Sequence, residues 1–265
     1  MRFAPIASGS SGNCIFVGTD TTNILIDDGI SFKRTSEGLK SLGIDIHDID
    51  AVLVTHEHTD HTQGLGVLSR KLSIPIYSTR GTADGIRETS SLGKIDEDLF
   101  NYVNADETFE IKDLSIKPIH ISHDANDPTA FTLCEGTKKV SVVTDLGTYT
   151  DYTVDAIKNS DIIMLEANHD VSMLEVGPYP YYLKQRILSD HGHLSNENSG
   201  RLLSSVLHDE VKAIFLGHLS KENNIPELAY ESVRFEIEAS HTKYHGNDFE
   251  IRVAKRDTPM EIIEI

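Results

Sequence analysis

Short apolar runs alternate with polar stretches of helical spacing along the whole chain. Met1 to Ala7, Cys14 to Gly18 and Asn23 to Asp27 read as strands, and Ser31 to Leu42 as a helix capped by Ser31. Ala51 to Val54 is a continuous apolar run of strand length, and a helix is expected to start near Gln63 and continue from Gly64 to Leu72. Pro75 to Tyr77 reads as a short strand and Thr82 to Ser91 as a polar surface helix. Phe109 to Ile121 alternates apolar and polar residues, as a half-buried antiparallel pair does. Phe131 to Glu135 and Lys139 to Thr144 form a hairpin around Gly136. Val154 to Lys158 begins a helix, and Ile162 to Leu165 and Ala213 to Leu216 are buried strands. Glu197 to Leu207 and Pro226 to Ser240 have helical spacing, and Phe249 to Val253 is a last strand. Both halves run from strands to helices. That order predicts an α/β (α+β) chain folded as an αβ/βα four-layer sandwich, two mixed sheets face to face with helices outside. No linker or low-complexity segment interrupts residues 1–265, so they read as one domain.

Charge narrows the function. Lys and Arg number 24 against 42 Asp and Glu, a formal charge of -18. Such a surface does not coat polyanions. A local nucleic-acid site remains open, because two divalent ions would add four positive charges where chemistry happens. Cys14 and Cys134 lie in apolar runs and read as small core residues. With so few cysteines and no secretory signal, a reducing, cytoplasmic compartment is expected. The apolar runs fall far short of the ~20 residues of a membrane span.

The chemistry gathers at strand ends. Thr55-His56-Glu57-His58-Thr59-Asp60-His61 holds three imidazoles and two carboxylates between His56 and His61. Residues two apart do not share a helical face. The cluster therefore reads as a tight loop at the C-terminal end of a strand, where open α/β sheets place ligands. His56 and His58 then face one metal ion, and Asp60 and His61 a neighbouring one. Imidazole with carboxylate suits zinc, iron or manganese. In Ile119-His120-Ile121-Ser122-His123, alternation puts His120 and His123 on opposite faces, so only one reaches a shared site. Asp145 ends another strand, and a carboxylate can bridge two cations. Ser8-Gly9-Ser10-Ser11-Gly12-Asn13 lacks the Lys-Ser/Thr of a Walker loop. It is either a tight turn or a loop whose amides and Asn13 touch a substrate phosphate.

The His-x-His-x-Asp-His run resembles the signature of the metallo-β-lactamase-fold superfamily. That resemblance implies a first ion held by His56, His58, His123 and Asp145, and a second held by Asp60, His61, Asp145 and His218. His123 is favoured over His120, which is left as a hydrogen-bonded structural histidine. Two ions about 3.5–4 Å apart can activate a shared hydroxide, and Asp60 is counted with the catalytic residues. β-Lactamases of this fold tend to carry cysteine where Asp145 stands. Leu165-Glu166-Ala167, His193-Leu194-Ser195 and Gly217-His218-Leu219-Ser220 resemble the late motifs of ribonuclease Z-type phosphodiesterases, with Asn168 where threonine is usual. They imply His193 as general acid, with Glu166 holding its ring; His169 and His191 are near enough to replace it. Asn13, Asn168, Lys221 and Asn223 are the expected substrate contacts, with Asn224 beside them. Together with Glu166-Ala167-Asn168-His169-Asp170 and His218-Leu219-Ser220-Lys221-Glu222-Asn223-Asn224, the motifs resemble the YycJ/WalJ-type branch. The implied function is a phosphodiesterase acting as a 5′-to-3′ exonuclease on DNA. The alternatives are a hydrolase of small phosphodiesters such as cyclic nucleotides, or a glyoxalase II-like thioesterase.

Overall fold

In the computed structural model, which describes residues 1–265, the apolar runs become strands close to where their pattern places them. The chain divides into two units. The first comprises Met1–His120, Ala125–Thr137 and Lys255–Ile265. It opens with β1 (Arg2–Ala7), β2 (Cys14–Gly18), β3 (Asn23–Ile26), α1 (Phe32–Ser41) and β4 (Ala51–Leu53). There follow α2 (Thr59–Thr62), α3 (Leu65–Leu72), β5 (Ile76–Ser78), α4 (Arg80–Glu88) and β6 (Phe100–Tyr102). β7 (Phe109–Ile111), β8 (Leu114–His120) and β9 (Thr129–Glu135) complete its main body. The second unit comprises Ile121–Asp124 and Lys138–Ala254. It carries β10 (Lys138–Val143), α5 (Asp151–Ile157), β11 (Ile162–Glu166), α6 (Val171–Val176) and α7 (Tyr181–Leu188). It continues with α8 (Asn196–Val206), β12 (Ala213–Gly217), α9 (Pro226–Ala239) and β13 (Ile251–Val253). β14 (Ile263–Glu264) returns to pair with β1.

The strands form two seven-stranded sheets, ordered β14-β1-β2-β3-β4-β5-β6 and β13-β12-β11-β10-β9-β8-β7. Both are mixed. β1, β2 and β3 run antiparallel, whereas β3 to β6 run parallel with helical crossovers between them. In the other sheet β7 to β9 are antiparallel and β10 to β13 parallel. Mixed sheets flanked by helices are the fold class the sequence predicts. Every residue of β11 and of β12 is buried, as parallel strands covered on both faces require. β8 instead alternates buried and half-buried positions along most of its length. In the first unit, Phe16, Leu25, Val52 and Ile76 pack from neighbouring strands into one core. No helix is long and apolar enough to cross a membrane.

Some boundaries differ from expectation. Helix begins at Thr59, inside the histidine motif, and breaks before α3 instead of starting near Gln63. α4 starts at Arg80, because the Thr79 hydroxyl accepts from Thr82 N at 3.2 Å. The short strand β6 and the helices α6 and α7 carry no clear periodicity and were not expected.

Candidate metal centre and its supports

In the first unit the site is built around a buried carboxylate. Asp27 follows β3 with φ 61°, in the left-handed region. It receives the backbone amide of Thr55 at 2.8 Å and the Thr55 hydroxyl at 2.9 Å. His61 Nδ1 donates to Asp27 Oδ2 at 2.7 Å, which leaves Nε2 for another partner. His56 Nδ1 meets Thr55 Oγ1 at 3.0 Å. The His56 ring lies 4.6 Å from that of His58 and 4.1 Å from that of His61, centroid to centroid. His58 is the residue before α2, and the Thr62 hydroxyl closes this single turn on His58 O at 3.0 Å. Asp60 and His61 therefore project from helical backbone, with Asp60 Oδ2 3.5 Å from His61 Nε2. Glu57 turns away and accepts from Asn126 N at 2.8 Å. Asn13 is buried in its turn: its Oδ1 accepts from Gly9 N at 3.1 Å and its Nδ2 lies 3.1 Å from His61 Nε2.

The second unit brings its candidates to one place. Asp145 follows β10 with φ 57°, and His218 follows β12 with φ 55°. Asp145 Oδ1 lies 3.7 Å from His123 Nε2, 3.6 Å from His193 Nδ1 and 3.5 Å from His218 Nε2. Ligand atoms of Asp145, Glu166, His193 and His218 all lie within 4.8 Å of one another. Glu166, at the end of β11, is saturated. Its Oε1 accepts from His193 Nδ1 at 2.7 Å and from His218 Nδ1 at 2.9 Å. Its Oε2 accepts the backbone amides of Leu146 at 2.8 Å and Leu194 at 3.1 Å. Burial pushes this carboxyl up, but the charge of His193 and hydrogen bonds from His193 and His218 outweigh it and hold the group at about 2. His123 Nδ1 donates to Gly192 O at 3.1 Å. His120 is exposed and His123 is buried, so His123 is the inward histidine of that pair.

The donor set fits a divalent cation. Nδ1 is engaged on Asp27 in His61, on Gly192 O in His123 and on Glu166 in His218, so each ring turns Nε2 outward. A hydrogen bond on the far ring nitrogen is what fixes the tautomer and aim of a metal-ligating imidazole. The rivals of His193 differ from it. Burial lowers His169 to about 4, so the ring is neutral at pH 7. His191 is exposed and sits 3.0 Å from Ser122 Oγ. Asn168 Nδ2 donates to His218 O at 2.9 Å, and Asn223 N donates to Ser220 Oγ at 3.2 Å; both are buried. Asn224 donates to Ala167 O at 2.9 Å, while Lys221 is exposed. Sequence reasoning missed the roles of Asp27 and Thr55. The only signal was an aspartate at a strand's C-terminal end.

Residues 22–217 match the beta-lactamase superfamily domain. The chain is 37% identical over 262 residues to exodeoxyribonuclease YycJ of Bacillus anthracis, covering 99% of this chain and 98% of that one. It is also 37% identical over 264 residues to exodeoxyribonuclease WalJ of Streptococcus pneumoniae, covering 100% and 98%. Among solved structures, zinc-bound PqqB of Methylobacterium extorquens shares the fold with TM-score 0.71 and 16% identity, over 98% of this chain and 100% of that one. The metallo-β-lactamase fold protein YhfI of Bacillus subtilis does so with TM-score 0.69 and 17% identity, over 98% of each chain. The matched domain and the full-length identity place the chain in the metallo-β-lactamase-fold superfamily, as a member of its YycJ/WalJ-type branch.

Proposed function

We propose that this chain is a metal-dependent exodeoxyribonuclease that hydrolyses DNA phosphodiesters from the 5′ end, with residues 1–265 acting as one catalytic domain. In this reading His56, His58, His123 and Asp145 hold one divalent ion, and Asp60, His61, Asp145 and His218 hold a second. Zinc, manganese and iron all suit these donors. The observation that carries the reading is Glu166 Oε1, which holds His193 and His218 at once. One carboxylate thus aims a metal ligand and sets a proton donor beside it. Full-length similarity to chains named exodeoxyribonucleases supports DNA as substrate.

When bound, the ions supply Lewis acidity, making water nucleophilic at neutral pH and offsetting charge on the phosphate oxygens. The chain's own residues do the rest. With Nδ1 on Glu166, His193 turns Nε2 toward the sugar oxygen that leaves and can protonate it. Its side chain is 14% exposed, against 1% for His218, so it is the ring a substrate can reach. Exposed Lys221 meets a phosphate, while Asn13, Asn168 and Asn223 brace the loops that carry the ligands. Two free cysteines accord with a cytoplasmic setting.

The test is a substrate panel with added manganese or zinc: 5′-phosphorylated DNA, RNA, cyclic nucleotides and S-lactoylglutathione. Stepwise release of deoxynucleotides from the 5′ end is expected. Turnover of the thioester alone, or of cyclic nucleotides with DNA left intact, would overturn the reading. Asp145→Ala should lose bound metal and nearly all hydrolysis of bis-p-nitrophenyl phosphate.

A further inference from the structure

The loop Ser8-Gly9-Ser10-Ser11-Gly12-Asn13 between β1 and β2 holds no histidine or carboxylate, yet it borders the candidate ligands of the first unit. Asn13 N donates to Asp60 O at 2.8 Å, and Asn13 Nδ2 lies 3.1 Å from His61 Nε2. The inside of the loop is committed to its own shape. Ser8 Oγ donates to Asn13 Oδ1 at 3.2 Å, and Gly9 N donates to the same oxygen at 3.1 Å. Gly12 N closes a β-turn on Gly9 O at 3.0 Å. Ser10 and Ser11 are the central residues of that turn, where an amide has no acceptor within the turn. Both are exposed, and their amides donate to no acceptor elsewhere in the protein.

Positive charge gathers beside this tip. Ser8 N donates to Lys255 O at 3.0 Å, which seats Lys255 and Arg256 along the loop. A Cβ on Gly9 would come 2.7 Å from Arg256 Nη1, so the guanidinium lies against the turn. Arg256 Nη1 also donates to the neutral Ser11 hydroxyl at 3.3 Å. Lys255 is exposed and forms no ion pair. Asp257, the nearest acid in sequence, is answered by Arg34 at 3.1 Å. From Met1 to Thr19 there is no Asp or Glu, in a chain of formal charge -18.

We propose that the Ser10-Ser11 turn, with Lys255 and Arg256, binds a substrate phosphate next to the one that is cleaved. This rests on the exonuclease reading and names how that substrate is held. Turn amides, hydroxyls and a guanidinium around one point are donors that fit phosphate oxygens. The Cα atoms of Ser11 and Asn13 are at most about 7.6 Å apart. One or two nucleotides span such a distance, at about 3.4 Å of helix axis each. Two phosphates have the required chemistry: the 5′-terminal monoester on one side of the scissile bond and the second internucleotide diester on the other. An ester with a single phosphate has nothing to place there.

The experiment compares the metal-loaded wild-type chain with a Lys255→Gln/Arg256→Gln double variant. The substrates are a DNA duplex bearing 5′-phosphates, the same duplex with 5′-hydroxyl ends, the same duplex with a neutral methylphosphonate at the second linkage, and bis-p-nitrophenyl phosphate. On the phosphorylated duplex the variant's KM should rise on the order of 10- to 100-fold, as loss of charge-assisted hydrogen bonds gives. On the small ester it should change less than twofold. The difference between variant and wild type should vanish on one altered duplex: with 5′-hydroxyl ends if the terminal monoester is bound, with methylphosphonate if the second diester is. An unchanged KM on the phosphorylated duplex overturns the site. So does an equal loss on the small ester, which would mean a disturbed metal centre, or an equal loss on all three duplexes, which would mean a diffuse field instead of a site. Wild type that hydrolyses the small ester but no DNA defeats the exonuclease reading itself, a result distinct from these.

Discussion

Replacing Glu166 by glutamine exchanges one acceptor oxygen for an amide, and the geometry fixes what is lost. Oε1 accepts from two imidazoles and Oε2 from two backbone amides, so all four partners are donors. An amide nitrogen cannot accept, and one side must break. Glu166→Gln should lower metal affinity about 10–100-fold, as loss of a carboxylate behind a ligating histidine does, measured by metal titration. His193→Ala should keep its metal. It should slow esters with poor leaving groups by about 10²–10⁴ and spare p-nitrophenyl esters, whose leaving group needs no proton; equal losses would remove His193 as proton donor. Asp28 gives a pH signature instead. Burial raises its carboxyl to about 7, against a hydrogen bond from Thr35 and with a further push from Asp27. An acid raised in the folded state binds protons there that the unfolded chain has released. Its contribution to stability therefore falls as pH rises from about 4, the unfolded value, to about 7. Asp28→Asn carries no charge to bury, so its stability relative to wild type should rise between pH 4.5 and 7.5 in urea unfolding. A difference independent of pH would contradict this.

Elements meet at the site through backbone, and Gly29 shows how closely. A Cβ there would lie 1.7 Å from the Asp60 carbonyl oxygen, which already accepts from Asn13 N at 2.8 Å. Gly29→Ala must displace α2 or its own loop. Overpacking of this kind costs about 1–3 kcal/mol, a Tm lower by about 2–12 °C at roughly 2–4 °C per kcal/mol, and metal binding should weaken with it. A variant with wild-type Tm and metal content would refute the packing. The strands were legible because parallel strands buried on both faces read as unbroken apolar runs, as in β11 and β12. The candidate ligands stood out because histidine and carboxylate are densely spaced from His56 to His61, and because Asp145 and His218 follow such runs. Other features were not. The i, i+2 argument kept the whole motif out of a helix, but only His56 and His58 precede α2, while Asp60 and His61 lie within it. The left-handed backbone at Asp27, Asp145 and His218 leaves no periodic trace. The second bond of Glu166, to His218, depends on β11 and β12 being adjacent. Pro178 and Pro180 split α6 from α7 into pieces too short to show a period.

At the scale of the molecule, an excess of 18 negative charges must be reconciled with a polyanionic substrate. Asp145 and Glu166 are buried beside His193 and His218, and Asp60 is half-buried beside His61. Without a bound cation, Asp145 and Glu166 repel each other. Tm should fall on treatment with a chelator and return with manganese or zinc, by an amount that grows with free metal as RT ln(1 + [L]/Kd). A Tm indifferent to chelator would mean that the donors hold no ion. Binding of DNA should then depend weakly on salt. Each phosphate neutralised by a side chain contributes a slope of about -0.7 in log K against log salt for a single strand. Lys184, Arg186 and Lys221 belong to the unit that carries His193; Lys184 already donates to Glu175 O at 2.7 Å, and Arg186 is paired with Asp124. Two to three such contacts give a slope of about -1.4 to -2.1. Fluorescence anisotropy of a labelled single strand, from 50 to 200 mM salt at fixed free metal, reads it directly. A slope steeper than about -4 would require six or more cations along the strand, an extended basic track that an acidic surface of this kind does not offer. In that case the metal centre would no longer be the main hold on the substrate.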